Sequence, residues 1–376
     1  VDRWLTVNEP YVAAMLGHAF GVHAPGLQDP DAALRAAHHL LLGHGLAVEA
    51  FDDVGLRSLR RSRGPARIGI AIDIHAYSPA TDSEADQQAA LRAQVLEARW
   101  FVEPVLVGRY PQEGLEWYER LGVRPPVKDG DLELMSRPID LFGLNYYRRH
   151  VVADDPSRPL FGYRVQVPPG RPVTQVGWEV YPEGLHEVLA WLQEKYLSQP
   201  AADREPGAAP TGRKTVTAAG EPAGKDAPQA AAGDAAGEAA LAGSLEQRAR
   251  HAPSARRVAF LITENGAAYP DTVEAAQGGG TANDDDVRIR DDRRRDYIAL
   301  HLHQVWRALQ AGLPVEGYYV WSLMDNFEWA RGYRVRFGLV YVDYETQRRI
   351  VKDSGRWYAR VCQENRLTFD PERITL

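Results

Sequence analysis

The chain of 376 residues holds one cysteine, Cys362, so no disulfide can form within it. Structural disulfides belong to oxidising compartments, and a lone thiol suits a reducing, cytoplasmic one. Long apolar runs are missing too. No stretch approaches the roughly 20 apolar residues needed to cross a bilayer. The first five residues, Val-Asp-Arg-Trp-Leu, carry no initiator methionine, basic segment or apolar core of a signal peptide, and they read as the inside of a strand. The chain is therefore expected to begin within a domain. Nor is there a basic excess: 44 Lys and Arg face 51 Asp and Glu, a net charge of -7. That balance argues against a nucleic-acid or anionic-membrane partner. No internal repeat is evident. What remains is an ordinary globular composition, 44% hydrophobic and 25% charged, rich in rings with nine Trp and 17 Tyr. Such rings fill cores and also line clefts that stack against sugar faces.

Short apolar runs alternate with longer amphipathic stretches. Runs at 4–7, 67–75, 139–147, 258–264 and 315–323 predict strands, and helical patterns fill 31–53, 84–101, 182–196 and 292–310. Ser83 is a candidate N-cap for the second helix, with Asp86 at the capping-box position. Strands separated by helices imply a parallel sheet in an α/β fold. Several predicted strand ends carry polar or aromatic residues: Asn8-Glu9, Asn145, Glu264 and Trp321. In a (β/α)8 TIM barrel those carboxyl ends hold the chemistry. The count is five strands, not eight, and at roughly 30 residues per βαβ unit three strands amount to on the order of a hundred residues. Residues 1–376 are thus expected to form a single, partial barrel domain. Within 201–250, 28 of 50 residues are Ala, Gly or Pro and none is aromatic. Such a composition cannot bury enough apolar area to offset chain entropy, so 200–255 is expected to be a disordered insertion, with a helical piece near 235–250 allowed.

Two carboxylates stand out by context. Glu9 lies in Thr-Val-Asn-Glu-Pro and Glu264 in Ile-Thr-Glu-Asn-Gly; each ends an apolar run and precedes a turn. A strand-end glutamate is more often a salt-bridged structural residue. A pair of them in a barrel mouth can have pKa values driven apart by burial and mutual repulsion, which is what glycoside hydrolysis requires. One carboxylate attacks the anomeric carbon while the other, protonated, assists the leaving oxygen.

The surrounding residues resemble glycoside hydrolase family 1. T-V-N-E-P is similar to that family's acid/base motif and I-T-E-N-G to its nucleophile motif. G-L-N-Y-Y (143–147), G-W-E-V-Y-P (177–182), V-W-S-L-M-D-N-F-E-W (320–329) and R-F-G-L-V-Y-V-D-Y (336–344) follow in the family's order. The likeness covers the chain apart from the 201–250 segment. It implies a TIM barrel of which about strands 4–8 are present, and a retaining β-glycosidase that removes terminal non-reducing β-D-glucose without a cofactor or metal. By resemblance, Glu264 is the nucleophile and Glu9 the acid/base, with carboxyl groups about 5–5.5 Å apart for retention. Asn8 is expected to bind the sugar 2-hydroxyl, Tyr147 to donate to Glu264, and Asn145 to lie nearby. Trp321 would floor the glycone site, Glu328 and Trp329 would hold distal hydroxyls, Phe337 would border them, and Trp178 would face the leaving group. Glu328 would repel a 6-phosphate, which points to unphosphorylated sugars, and Glu9 being Glu, not Gln, separates the chain from the thioglucosidase branch.

The family's N-terminal part, which supplies a Gln and a His-Trp pair for the 3- and 4-hydroxyls, has no counterpart here. An inactive truncated remnant is the alternative from another class, and β-galactosidase or β-fucosidase specificity the alternative within enzymes. The partner is expected to be a small β-glucoside or oligosaccharide, and the oligomeric state is open. Other clusters are weaker. His38-His39 and His301-x-His303 diverge on their helices and are not expected to bind metal. Asp284–Asp286 reads as a solvated run. Gly212–Thr215 has only the tail of a phosphate loop. The charges from Asp291 to Asp296 read as the first turns of an exposed helix.

Overall fold

The computed structural model describes residues 1–58, 64–158, 160–198, 258–274, 287–368 and 374. The insertion at 200–255, with its helical piece, and the Gly212–Thr215 and Asp284–Asp286 segments lie outside the described residues. Those described belong to one unit built from Val1–Arg204 and Arg257–Leu376.

Its centre is a five-stranded parallel sheet: Arg3–Asn8, Arg67–Asp73, Leu141–Asn145, Ala259–Asn265 and Val315–Val320, adjacent in chain order. All five expected strands are there. Parallel neighbours need a crossover, and helices supply it. Pro30–Asp53 follows the first strand. Its N-cap Asp29 accepts from the amides of Asp31 and Ala32, and Ala33, Leu34, Ala37, Leu41, Val48 and Phe51 form the buried stripe expected at helical spacing. After the second strand the chain caps on Ser83 as predicted, its hydroxyl accepting from the Asp86 amide at 3.2 Å. Asp86, however, does not close a capping box: its carboxylate takes the Thr81 hydroxyl at 2.6 Å and the Asp154 amide at 2.8 Å. From Glu84 the helical path runs on through a wider turn at Gln94–Arg99 to Val107, beyond the expected end. Glu183–Leu192 and Asp292–Gln310 cover the next two connections.

The sheet curls enough for its two outer strands to meet. Arg3 lies 3.4 Å from Glu316, and Arg67 ion-pairs with the same carboxylate. The second and third strands are buried almost throughout, and Phe142 and Phe260 meet edge to face at 6.3 Å. A small three-stranded sheet, Ala76–Pro79, Arg149–Asp154 and Tyr163–Gln166, sits beyond the carboxyl ends and was not expected from the sequence.

One expectation about burial is overturned in part. Of the charges that open the Asp292–Gln310 helix, Arg294, Asp291 and Asp296 are not solvated, at 0%, 4% and 5% exposure, whereas Arg293 is exposed and Asp292 and Arg295 are half-buried. Arg294 donates to Asp271, Asp291 and the carbonyls of Ala267, Tyr269 and Arg336, so long-range partners take the place of water. The histidine pairs diverge as argued. His38 is buried against Tyr110 and Asp131 while His39 is exposed, and His301 holds its own helix at the Tyr297 carbonyl.

Candidate active site

Sheet register brings the chemistry together. Asn8 pairs with Ala71, Asp73 with Asn145, and Asn145 with Glu264, so the carboxyl ends of four strands form one row. Glu9 sits one residue past its strand with φ of 48°, and its amide donates to the Ala71 carbonyl at 3.0 Å. A non-glycine residue in left-handed backbone costs on the order of 1–2 kcal/mol and persists where surroundings impose it. Pro10 then turns the chain away into the Val12–Ala19 helix.

Asn145 is the hub. Its amide nitrogen donates to Glu9 Oε1 at 2.8 Å and Asn8 Oδ1 at 3.1 Å, while its oxygen accepts from Thr263 at 2.5 Å. The Tyr147 hydroxyl donates to Glu264 Oε2 at 2.6 Å, and the nearby amides of Asn8 and Asn145 favour the Glu264 carboxylate. Tyr147 is held in turn: its carbonyl accepts from Tyr297 at 2.8 Å. Asn265, beside the nucleophile candidate, donates to the Tyr146 carbonyl at 2.6 Å and accepts from Tyr318 at 2.5 Å. Gly266 completes the turn, since a Cβ there would fall 1.8 Å from the Trp321 carbonyl oxygen. Only glycine lets the fifth strand's end approach so closely.

Burial pushes both carboxyls upward, but their neighbours separate them. Glu9 is driven well above the ordinary carboxylate range by burial, then by the charges of Asp73 and Glu264, with one opposing bond from Asn145. Glu264 is raised by burial and opposed by three donors, Tyr147, Asn8 and Asn145. Bonds to the ionised form favour it, so Glu9 keeps the proton and Glu264 the charge. That is the division of labour for an acid and a nucleophile.

The aromatic candidates divide. Tyr147 and Phe337 are buried with Ala268 and Val335, and Trp178 and Trp321 pack on that cluster. The Trp178 ring stands 5.3 Å from Tyr147 and 6.1 Å from Phe337. Trp321 Nε1 donates to Glu328 at 3.2 Å, and burial raises the Glu328 carboxyl. Trp329 is not drawn into this group: it is 68% exposed, with His23 as its ring neighbour at 6.3 Å. Sequence reasoning missed Asp73, buried at the end of the second strand and pushed up to about 7 by burial first and then by Glu97 and Glu264. Its place after Ile-Ala-Ile, at a strand end like Glu9 and Glu264, was the available signal. Arg148 was also missed; its guanidinium lies 5.1 Å from the Trp178 ring.

Two carboxyl groups of opposed protonation at the carboxyl ends of a parallel α/β sheet define a site of the glycoside-hydrolase kind. Comparison with known proteins gives the family. The model of Glycosyl hydrolase family 1 matches residues 1–218 and 252–367, and the chain belongs to that family. It is 36% identical over 370 residues to a 1,4-beta-D-glucan glucohydrolase of Thermotoga neapolitana, covering 98% of this chain and 65% of the relative. It is 33% identical to a bifunctional beta-D-glucosidase/beta-D-fucosidase of Bifidobacterium breve, again covering 65% of that protein. Among solved structures, the family 1 β-glucosidase from Thermotoga maritima superposes with a TM-score of 0.72 at 34% identity, over 98% of this chain and 65% of that one. The chain thus spans just under two thirds of these relatives.

Proposed function

We propose that this chain carries the catalytic carboxylates of a retaining β-glucosidase and that its five strands correspond to strands 4–8 of an eight-stranded barrel. Residues 1–376 then form a single partial catalytic domain. The observation that carries the reading is that Asn145 donates to Glu9 while Tyr147 donates to Glu264, with Asn145 and Glu264 paired in register on adjacent strands. Glu264 attacks the anomeric carbon; Glu9 gives its proton to the departing oxygen and then takes one from water. Asn8, on the same hub, binds the 2-hydroxyl, Trp321 floors the glycone site, and Trp178 faces the leaving group beside Phe337. Glu328, oriented by Trp321, takes distal hydroxyls. Trp329 joins it there through a rotation of its exposed side chain. The names of the relatives favour glucose, with the Bifidobacterium breve protein bringing fucose within range. The exposed thiol of Cys362 fits a cytoplasmic location, which cell fractionation would test.

The test is release of aryl alcohol from aryl β-D-glucoside, with β-D-fucoside and β-D-galactoside alongside and Glu264→Gln as control. Proton NMR should show β-glucose as the first sugar formed. First-formed α-glucose would overturn retention. Release undiminished in Glu264→Gln would overturn the nucleophile, and no release from the unaltered chain would overturn its activity as it stands.

A further inference from the structure

A second cluster of ionisable side chains lies outside the carboxylate pair. His75 follows the second strand, Glu97 sits in the Gln94–Arg99 turn of the neighbouring helix, and His150 belongs to the small sheet. One ligating atom from each lies within 4.8 Å of the other two. The imidazole rings stand 3.9 Å apart between centroids, and His150 Nδ1 is 3.0 Å from Glu97 Oε2. Tyr77 and Tyr163 donate to Glu97 at 3.1 and 2.5 Å, which fixes the carboxylate. Two ring nitrogens have no partner although buried: His75 Nδ1 and His150 Nε2. A buried polar atom without a partner needs an explanation, and a missing ion is one.

We propose that His75, Glu97 and His150 form a binding site for one divalent transition-metal ion, best suited to zinc. Two imidazoles and a carboxylate are a complete three-residue zinc set, with the fourth position left to water. Zinc bonds of about 2.0–2.1 Å place tetrahedral donors roughly 3.4 Å apart, so the widest pair, which lies within 4.8 Å, needs to close by about 1.4 Å at most. The bonds from Tyr77 and Tyr163 to Glu97 are the outer-shell support that ligating carboxylates carry. Electrostatics agree. Burial, with the nearby Arg148 guanidinium, holds both imidazoles well below their usual range, so they are neutral and able to ligate. The added charge of an ion meets Glu97 itself and Asp73, whose Oδ1 is buried and unpartnered. The ion would tie the main sheet, a covering helix and the small sheet together at three points.

The test begins with the chain stripped by a chelator and titrated with zinc chloride against a chromophoric competitor. One ion per chain is expected, and it should raise the melting temperature. His75→Gln and His150→Gln should each weaken binding by at least about tenfold, because even outer-shell losses cost ~10–100-fold. His39→Gln, an exposed imidazole on another helix, should change nothing. X-ray absorption of the zinc-loaded, unaltered chain should count two imidazoles per metal, which decides the matter even if a variant fails to fold. No zinc uptake, equal loss in His39→Gln, or fewer than two imidazoles would overturn the site. The competing occupant of the orphaned nitrogens is then a buried water.

Discussion

Replacing Arg294 with methionine should cost the chain a large part of its stability. Arg294 is 0% exposed, and its guanidinium makes five hydrogen bonds. Two reach carboxylates, Asp271 at 2.8 Å and Asp291 at 2.6 Å, and three reach backbone carbonyls. Methionine keeps much of the volume, so the loss is one of partners rather than packing. Removing one member of a buried pair costs about 3–5 kcal/mol, because a charge stays behind in a poor solvent. The partners are not left bare. Asp291 keeps the Ser354 amide and hydroxyl at 2.8 and 2.5 Å. Asp271 keeps Lys352, whose Nζ stands 2.8 Å from Oδ2 as an ion pair, although not aligned as a hydrogen bond. The lower end of the range, about 3 kcal/mol, is therefore expected, against a typical total of about 5–15 kcal/mol. Urea unfolding followed by tryptophan fluorescence reads it as a lowered midpoint at constant slope. Adding Asp291→Asn to Arg294→Met should return about 0.5–3 kcal/mol, since it removes the stranded charge. A loss under about 1 kcal/mol, the worth of an exposed pair, would show that water reaches the cluster and refute the argument.

Three further outcomes follow from the site. Tyr147→Phe removes the 2.6 Å donor to Glu264 while leaving the ring packed; a bond to a charged group is worth about 1.5–3 kcal/mol, so kcat/KM for an aryl β-glucoside should fall roughly 10- to 150-fold. Its acid limb should also move to higher pH, because the Glu264 carboxylate has lost a stabilising donor; an unmoved limb would show the bond to be idle. Asp73, pushed up to about 7, lends stability that is fully present below its unfolded value of about 3.9 and is withdrawn as pH rises from there through 7. Asp73→Asn should match the parent only below about pH 4, exceed it by about 1.5 kcal/mol at pH 5 and by up to about 4 kcal/mol at pH 8, and urea midpoints that run parallel across that span would contradict the assignment. Gly266→Ala must move backbone, since the new Cβ would sit 1.8 Å from the Trp321 carbonyl oxygen; it should lose at least the ~1–3 kcal/mol of ordinary overpacking, and a midpoint within experimental error of the parent would argue against the close approach.

The sheet was legible because each strand is a short, mostly apolar run between turn signals, and the helices because their stripes repeat at helical spacing. The small sheet was not. Ala76–Pro79 and Arg149–Asp154 begin only a few residues after main strands end, so their signal merges with the strand before them. The charged start of the Asp292–Gln310 helix looked solvated because burial there depends on Asp271, Asp325 and Lys352, which arrive from distant segments. His75, Glu97 and His150 come together in the same way, across 53 residues between Glu97 and His150. Motif order singled out Glu9, Glu264, Asn145 and Tyr147, and the sheet register brings them together. Trp329 shows the limit of that reasoning, because a matched motif fixes a residue's place in the chain and not the direction of its side chain.

The least legible feature is how neighbouring residues share one target. In a regular strand adjacent side chains point to opposite faces, so Asn8 and Glu9 should not reach the same group. Both meet Asn145, at 3.1 and 2.8 Å. On the fourth strand Thr263 bonds it while the adjacent Glu264 stands opposite it in the register. Each exception coincides with an irregularity. The first strand shifts register between Leu5 and Asn8 and turns left-handed at Glu9, and the third and fourth shift between Leu144 and Asn145. A bulge rotates one side chain onto its neighbour's face, which is why bulges gather beside active sites. Strict alternation would give each strand one inward carboxylate or amide. The irregular ends give two, so a single asparagine can hold the acid and its neighbour Asn8 while standing beside the nucleophile in the register. The left-handed backbone at Glu9 is thus what brings a second inward-facing group onto the same hub.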